Sequence, residues 1–317
     1  MDIRSFFGNI STTGTGRDRM LAAPAENPTL VELREKGYAI VKDVLSDVEV
    51  RQALEMFHTW RTSVPNLDFQ HNTMDPHGIY KFHEAGHQRH AWFIRTRPKV
   101  KEVFSKLWKS KDMIVSYDGS CYLSSDVKTK DNVWTHTDQG SPSGGEEDHL
   151  ECFQGFVALT NNKQRTFTCY RKSHKLHAAY FKEKGVKTSK NWNLIDTEYL
   201  GKIREQKVVL EVPAGSMVLW DSRTFHQNQY GPPDCGEERI VQYVCMLPRS
   251  HKKNTPSNQN KRRKYFDERR TTSHWPCRVK VNGKQGQTYG DAKKVIDYEK
   301  LPKIDLDDMI DDIMKLV

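Results

Sequence analysis

Four residues far apart in the chain carry side chains suited to a metal-centred reaction. His136 and Asp138 in "NVWTHTDQG" are two apart. On a strand both side chains leave the same face, where an imidazole and a carboxylate can reach one metal ion. His226, in "WDSRTFHQNQYGPPD", would bring a second imidazole. Two histidines and one carboxylate cover one face of an ion and leave the other positions open, as in non-haem Fe(II) centres that activate oxygen. Catalytic zinc more often takes three histidines, or two with a glutamate. His149 and Glu151 in "HLE" repeat the spacing nearby and compete for the role. Arg239 opens a strand after the Gly231-Pro232-Pro233 turn. Read as a hairpin, the turn lays Arg239 opposite Gln229, roughly 10 Å along the strand from His226. A five-carbon dicarboxylate that chelates a metal by one end spans a comparable distance. Its far carboxylate, in a buried slot, needs a permanently charged planar fork, which arginine supplies.

A second metal candidate is "YKFHEAGHQRHAW", where His83, Glu84 and His87 spell His-Glu-x-x-His and His90 follows. On a continuous helix this places two zinc ligands and a general base on one face. Gly86 inside the segment costs such a helix ~1 kcal/mol. The extended form of the motif needs a glycine where His90 stands and a further histidine three residues later, where there is none. The segment is therefore expected to be a polar stretch beside a cleft, its histidines engaged in hydrogen bonds, and a zinc hydrolase ranks behind the oxygen-activating centre.

These side chains need a scaffold, and the periodicity describes one. Ser46 and Glu49 have capping-box spacing, and Val50, Leu54 and Phe57 form an apolar stripe, which predicts an amphipathic helix over 46–62. "KVKEVFSKLWK" (99–109) repeats the pattern with Val100, Val103 and Leu107. Beyond it the period falls to two. Short β-branched and aromatic stretches at 113–123, 151–160, 165–170, 207–212, 216–220, 226–230 and 239–247 are separated by Gly, Pro, Asn and Asp clusters. The expected fold is α+β, mainly β: a sandwich or jelly roll with flanking N-terminal helices, the 46–62 face packed on one sheet, and a helical or looped insertion at 171–206. Residues 1–26 read as a flexible leader, 27–248 as the catalytic domain, and 249–317 as a basic and then acidic extension.

Composition narrows the setting. A chain of 317 residues, 36% hydrophobic, can bury one large core or two modest ones, and a single catalytic domain with tails is the simplest reading. The six cysteines form no Cys-x-x-Cys pair, as expected of reduced, buried thiols in an intracellular protein. No secretory leader and no long apolar run are evident. The net charge of +9 is concentrated in "SHKKNTPSNQNKRRKYFDERR" (250–270), and "DLDDMIDDIMKLV" (305–317) is acidic and apolar. On composition the basic block reads as a solvated loop, a phosphate-attracting patch or a nuclear import signal. The acidic end has Ile304, Met309, Ile313 and Leu316 near helical spacing, so it is expected to pack on the domain or on a partner.

The ordered set "HTD" (136–138), "FQGFVALT", "RKSHK" (171–175) and "PAGSMVLWDSRTFH" (213–226) before Arg239 resembles the phytanoyl-CoA dioxygenase family of Fe(II)/2-oxoglutarate oxygenases, from about residue 30 to 248. The resemblance implies a double-stranded β-helix of cupin-like type, with His136, Asp138 and His226 as iron ligands and Arg239 binding the 2-oxoglutarate co-substrate. It also implies contacts to that co-substrate from Tyr122, on a strand position that commonly makes them, from Thr137, where the family carries glutamine between the ligands, and from Phe156, where an indole is frequent. The implied activity is hydroxylation of a small molecule, an amino-acid side chain or a nucleobase. A catalytically inactive jelly-roll adaptor is the alternative from another class.

The two ends suggest partners. "MDIRSFFG" places Ile3 three before Phe6 and Phe7, as in peptides that dock apolar anchors in a replication sliding clamp. "KK" at 252–253 and "KRRK" at 261–264 resemble a bipartite nuclear import signal. A base substrate would require aromatic stacking and basic contacts, for which Trp92, Phe93 and Arg95 are candidates.

Overall fold

The computed structural model describes residues 26–74, 77–126, 133–142 and 149–317. Ile3, Phe6 and Phe7 lie outside them. In chain order the strands are β1 (Tyr38–Val41), β2 (Met113–Val115), β3 (Ser120–Leu123), β4 (His136–Thr137), β5 (Phe153–Ala158), β6 (Phe167–Tyr170), β7 (Asn193–Leu194), β8 (Lys207–Val209), β9 (Met217–Asp221), β10 (His226–Asn228), β11 (Arg239–Tyr243) and β12 (Met246–Pro248). They form two antiparallel five-stranded sheets, β1-β9-β5-β11-β3 and β7-β4-β10-β6-β8, with β12 and β2 as a separate ribbon. This is the jelly roll that the period-two stretches predict. Phe156, Phe167, Val218, Trp220 and Val241 fill the space between the two large sheets.

The helices are α1 (Pro28–Lys36), α2 (Asp47–Ser63), α3 (Leu67–Met74), α4 (Arg89–Thr96), α5 (Pro98–Trp108), α6 (His177–Lys184), α7 (Thr197–Lys202), α8 (Pro256–Asp267) and α9 (Ile310–Met314). Ser46 and Glu49 cap α2 reciprocally, each side chain accepting from the other's main-chain N–H. Val50, Ala53, Phe57 and Trp60 then face inward and pack with Trp92, Phe104, Tyr122 and Ile240, covering the outer face of the first sheet. Residues 171–206 contain α6, β7 and α7, in keeping with the insertion expected there.

The 113–123 stretch is not one strand. It breaks before Gly119, where a side chain would lie 1.8 Å from the Tyr80 carbonyl, and the Gln242 side chain bonds the Asp118 and Gly119 carbonyls there.

The basic block is ordered, contrary to the solvated-loop reading. Arg262, inside the KRRK run, is 2% exposed and donates to the carbonyls of Val115, Pro276, Leu316 and Val317. Lys253 is paired with Glu151 at 2.6 Å. Burial of one arginine and pairing of one lysine remove two cations from the import-like pattern and occupy the carboxylate of the decoy pair. The acidic end packs on the domain as expected, with Met309, Ile313 and Leu316 in the same core as α2 and α5. No helix among the described residues is long and apolar enough to cross a membrane.

Candidate functional site

The register of the second sheet builds the centre. β4 and β10 run antiparallel with His136 directly opposite His226, which brings the two imidazole centroids to 4.4 Å. Asp138 follows β4 on the same side and is anchored by its main-chain N–H to the Ser222 carbonyl. Its Oδ2 lies 3.2 Å from His226 Nε2 and 3.6 Å from His136 Nε2. All three donor atoms fall within 4.8 Å of one another, and all three residues are buried. Such separations are close to the roughly 3 Å between adjacent ligands on an ion bound at about 2.1 Å.

The tautomers suit a metal as well. His136 Nδ1 is 3.1 Å from the Trp134 carbonyl and His226 Nδ1 is 2.9 Å from the Thr224 carbonyl. A carbonyl only accepts, so each Nδ1 carries the hydrogen and each Nε2 lone pair faces the centre. Burial disfavours ionisation of the Asp138 carboxyl, but His274, His136 and His226 around it hold it well below the usual range, as a carboxylate. Burial, with the neighbouring His136, lowers the pKa of His226 and favours the neutral imidazole, the form that can bind a metal. Gln154 donates to Asp138 Oδ2 at 3.1 Å. The strand carrying His226 is braced by the 171–175 turn, whose Ser173 hydroxyl accepts from the Phe225 N–H.

Arg239 reaches the same interior by a different path from the hairpin. β10 pairs with β4 and β6, whereas β11 pairs with β3 and β5 in the other sheet, and Arg239 lies opposite Leu123, not Gln229. The residues between them carry the chain across the sandwich. The side chain is 1% exposed. Nη1 donates to Cys121 Sγ at 2.9 Å, the guanidinium lies 5.2 Å from the Phe156 ring centroid, and Nη2 has no partner among the described residues. Glu237, a rival partner for a surface arginine, instead accepts from the N–H groups of Lys163, Gln164 and Arg165. Asn228, two residues beyond His226, bonds the Tyr243 hydroxyl at 3.0 Å and approaches Cys121 Sγ at 3.7 Å. It joins the arginine's surroundings to β10, about 7 Å from His226.

The other sequence candidates divide between this interior and other faces of the molecule. Tyr122 is on the outer face of β3, its ring against Phe57 and under the Arg61 guanidinium. Strand alternation gives the inner face to Cys121. Thr137, between two inward residues, points away and donates to the Ser222 carbonyl. Phe156 lies inside, beneath Arg239. His83, His87 and His90 diverge to Gln70 Oε1, the Arg270 carbonyl and Ser120 Oγ. Positive φ angles at His83 and Glu84 break the segment before α4, so the zinc helix does not form. Trp92 and Arg95 are fully buried, with Arg95 bonded to the Gly86 and Asp118 carbonyls, and Phe93 is 7% exposed. They are core residues and do not form a surface for a base.

A cavity of about 750 Å³ opens onto His136, Asp138 and His226, within the usual range for small-molecule sites. Trp134, Trp220, Tyr80, Tyr243 and Trp275 make much of its wall, and Trp192 and Lys190 also line it. Sequence reasoning missed Gln154, Asn228 and Tyr243, although strand alternation from Phe156, His226 and Arg239 points to each. It also missed His274, for which no local pattern exists.

A jelly roll with two histidines and a carboxylate on one inner face, and a buried arginine across the sandwich, defines the architecture of a mononuclear non-haem oxygenase. The model of the phytanoyl-CoA dioxygenase (PhyH) family matches residues 33–229, more than half of the chain. The protein therefore belongs to the phytanoyl-CoA dioxygenase family of Fe(II)/2-oxoglutarate-dependent oxygenases. Among curated proteins it is similar to Ava biosynthesis cluster protein O of Aspergillus versicolor, 27% identical, over 53% of this chain and 57% of that one. The chain thus matches little more than half of that relative's length. Its fold is shared with the non-haem α-ketoglutarate-dependent carbocyclase SnoK of nogalamycin biosynthesis (TM-score 0.51, 17% identity, 71% of this chain and 85% of that one). It is shared as well with GlcNAc Inducible Gene 2, GIG2, of Candida albicans (TM-score 0.60, 13% identity, 90% of this chain and 75% of that one).

Proposed function

We propose that this protein is an Fe(II)/2-oxoglutarate-dependent hydroxylase acting on a small, largely apolar molecule. In this reading His136, Asp138 and His226 hold the ferrous ion and Arg239 receives the distal carboxylate of 2-oxoglutarate. The observation that carries it is the convergence of two Nε2 lone pairs and a carboxylate on one point, with a buried guanidinium nitrogen across the sandwich that has no acceptor among the described residues. Bound there, iron would supply oxygen activation coupled to oxidative decarboxylation of 2-oxoglutarate to succinate and carbon dioxide.

The chain's own contribution is placement. The Trp134 and Thr224 carbonyls fix the imidazole tautomers, Gln154 orients the carboxylate, and the planar fork of Arg239 sets the depth of the co-substrate. The aromatic walls exclude water and seat the substrate with one C–H bond toward the metal.

The test is succinate release with Fe(II), 2-oxoglutarate and oxygen across a panel of hydrophobic small molecules, amino acids, nucleosides, DNA and acyl carriers. Substrate-dependent succinate, abolished in Asp138→Ala, supports the proposal. No succinate from an iron-loaded protein with any substrate, nor in slow uncoupled turnover, would favour the adaptor. Docking of Ile3, Phe6 and Phe7 in a sliding clamp, and with it work near DNA in the nucleus, stays a separate proposal. Loss of clamp capture on Phe6→Ala/Phe7→Ala is its test.

A further inference from the structure

The carboxy-terminal extension, beyond the span matched by the family, enters the active-site cavity. Residues 271–282 fold into a short two-stranded arm: Thr272 bridges Val281, Ser273 N–H bonds the Lys280 carbonyl, and Asn282 N–H bonds the Thr271 carbonyl. Both threonines pin the arm to the domain. Thr271 Oγ1 accepts from Gly86 N–H, Thr272 Oγ1 accepts from Tyr117 N–H, and Thr272 N–H donates to the Tyr117 carbonyl. Trp275 anchors it further, 2% exposed among Cys152, Cys245 and Leu247. Between these anchors, His274 is held over the triad.

His274 Nε2 stands 3.9 Å from Asp138 Oδ1, the oxygen turned away from the two histidine ligands. That nitrogen is shielded from solvent and has no hydrogen-bond partner among the described residues. The Asp138 oxygens are thus divided. Oδ2 faces His136 and His226 and accepts from Gln154, while Oδ1 has His274 before it. A carboxylate that binds a metal through one oxygen is held in place by a donor on the other. The gap exceeds a hydrogen bond by about 0.7 Å.

We infer that His274 is a positioning residue of the metal centre: its Nε2–H holds the outer oxygen of Asp138, so that the carboxy-terminal arm is part of the iron site. This rests on the triad being the metal centre, as proposed above. A histidine that only filled space would be replaceable by any ring of its size. One that donates to Asp138 is replaceable only by another donor.

The experiment is Mn(II) titration of the metal-free full chain by calorimetry, for wild type, His274→Phe, His274→Gln and Asp138→Ala, each checked for folding by near-UV circular dichroism. The expected result is ~10–100-fold weaker Mn(II) binding in His274→Phe, recovery to within a few fold in His274→Gln, whose amide nitrogen stands near the Nε2 position, and no binding in Asp138→Ala. With saturating Mn(II), 2-oxoglutarate affinity should be the same in wild type and His274→Phe. Wild-type Mn(II) affinity in folded His274→Phe overturns the inference, as does His274→Gln binding as weakly as the phenylalanine variant. Should the phenylalanine not fold, His274→Ala takes its place with the same two outcomes. Wild-type affinity in Asp138→Ala would instead overturn the metal centre itself, so the two failures are told apart.

Discussion

Replacing Arg239 by methionine should separate co-substrate binding from stability. The guanidinium is 1% exposed, has no carboxylate partner among the described residues, and leaves Nη2 unbonded. Removing it relieves a buried, uncompensated charge, which is often neutral or stabilising when an apolar group of similar volume takes its place. Against that stand the hydrogen bond to Cys121, the interaction with the Tyr243 hydroxyl and the contact with Phe156, about 1 kcal/mol each. The metal-free protein should therefore change in stability by no more than about 1 kcal/mol, far less than most core truncations. Co-substrate affinity should behave differently. Two hydrogen bonds to a charged group are worth about 3–6 kcal/mol together, so binding should weaken ~100-fold or more at 1.4 kcal/mol per decade. At a 2-oxoglutarate concentration of 100 times the wild-type Kd, ligand stabilises the wild type by about 2.7 kcal/mol. A variant weakened 100-fold would gain only about 0.4 kcal/mol at that concentration. Thermal shift of the Mn(II)-loaded protein with and without 2-oxoglutarate reads both quantities. A variant that still gains the full ligand shift, or that loses several kcal/mol without ligand, would refute the assignment of Arg239.

Arg262→Ala should cost about 3–5 kcal/mol in urea unfolding, because four main-chain carbonyls lose their donor; limited proteolysis should then cut within 249–317 first. Tyr122→Phe should leave 2-oxoglutarate affinity unchanged, since the side chain packs outside the sandwich, and calorimetry on Mn(II)-loaded protein checks this. Stability should fall steeply as the pH drops from about 6.5 to 4. Burial lowers the pKa of His83 to about 4, and of His87 and His90 to about 3, so below pH 6.5 the unfolded chain takes up protons that the folded chain refuses. Asp118, raised by burial to about 7, acts in the opposite sense and offsets one of the three. For these four groups the net difference of two protons near pH 5 corresponds to about 2.7 kcal/mol per pH unit; the lowered His174, His226, His251 and His274 add to it and the raised Glu84 opposes it, and the sum is read as a shift in urea midpoint. A flat profile between pH 4 and 6 would show that these groups titrate normally.

The parts of the fold that depend on local rules were legible in the sequence. The capping box at Ser46 and the stripe through Phe57 give α2 within a residue of its ends, and alternation gives most strands within two or three residues. His136 and Asp138 were found for the same reason, since a spacing of two on a strand fixes a shared face. What failed was the step from neighbouring in sequence to paired in space. The segment from His226 to Arg239 contains two strands around a Gly-Pro-Pro turn, and a hairpin is the simplest reading of it. In a jelly roll, consecutive strands pass from one sheet to the other. The arginine therefore arrives opposite the histidine across the core, not beside it in the sheet. Tyr122 was misplaced through parity: with Arg239 facing inward, the inner face opposite it belongs to Cys121.

The carboxy-terminal segment shows why composition misleads where a fold is extended by an added piece. Lysines and arginines in polar surroundings describe a solvated loop, and nothing local distinguishes Arg262 from its three basic neighbours. Its difference lies in the four carbonyls that it finds on β2, on the chain near Pro276 and at the chain's end. That bonding joins α8 to the arm bearing His274 and to the strand leading toward Asp118 and the cavity. Together with the Thr271, Thr272 and Trp275 anchors, a charge fixed at the junction of three segments that sequence treats as unrelated holds residues distant from the triad in the wall of the cavity. It follows that Arg262→Ala should weaken Mn(II) binding through His274, whereas Arg263→Ala, on the exposed side of the same helix, should not.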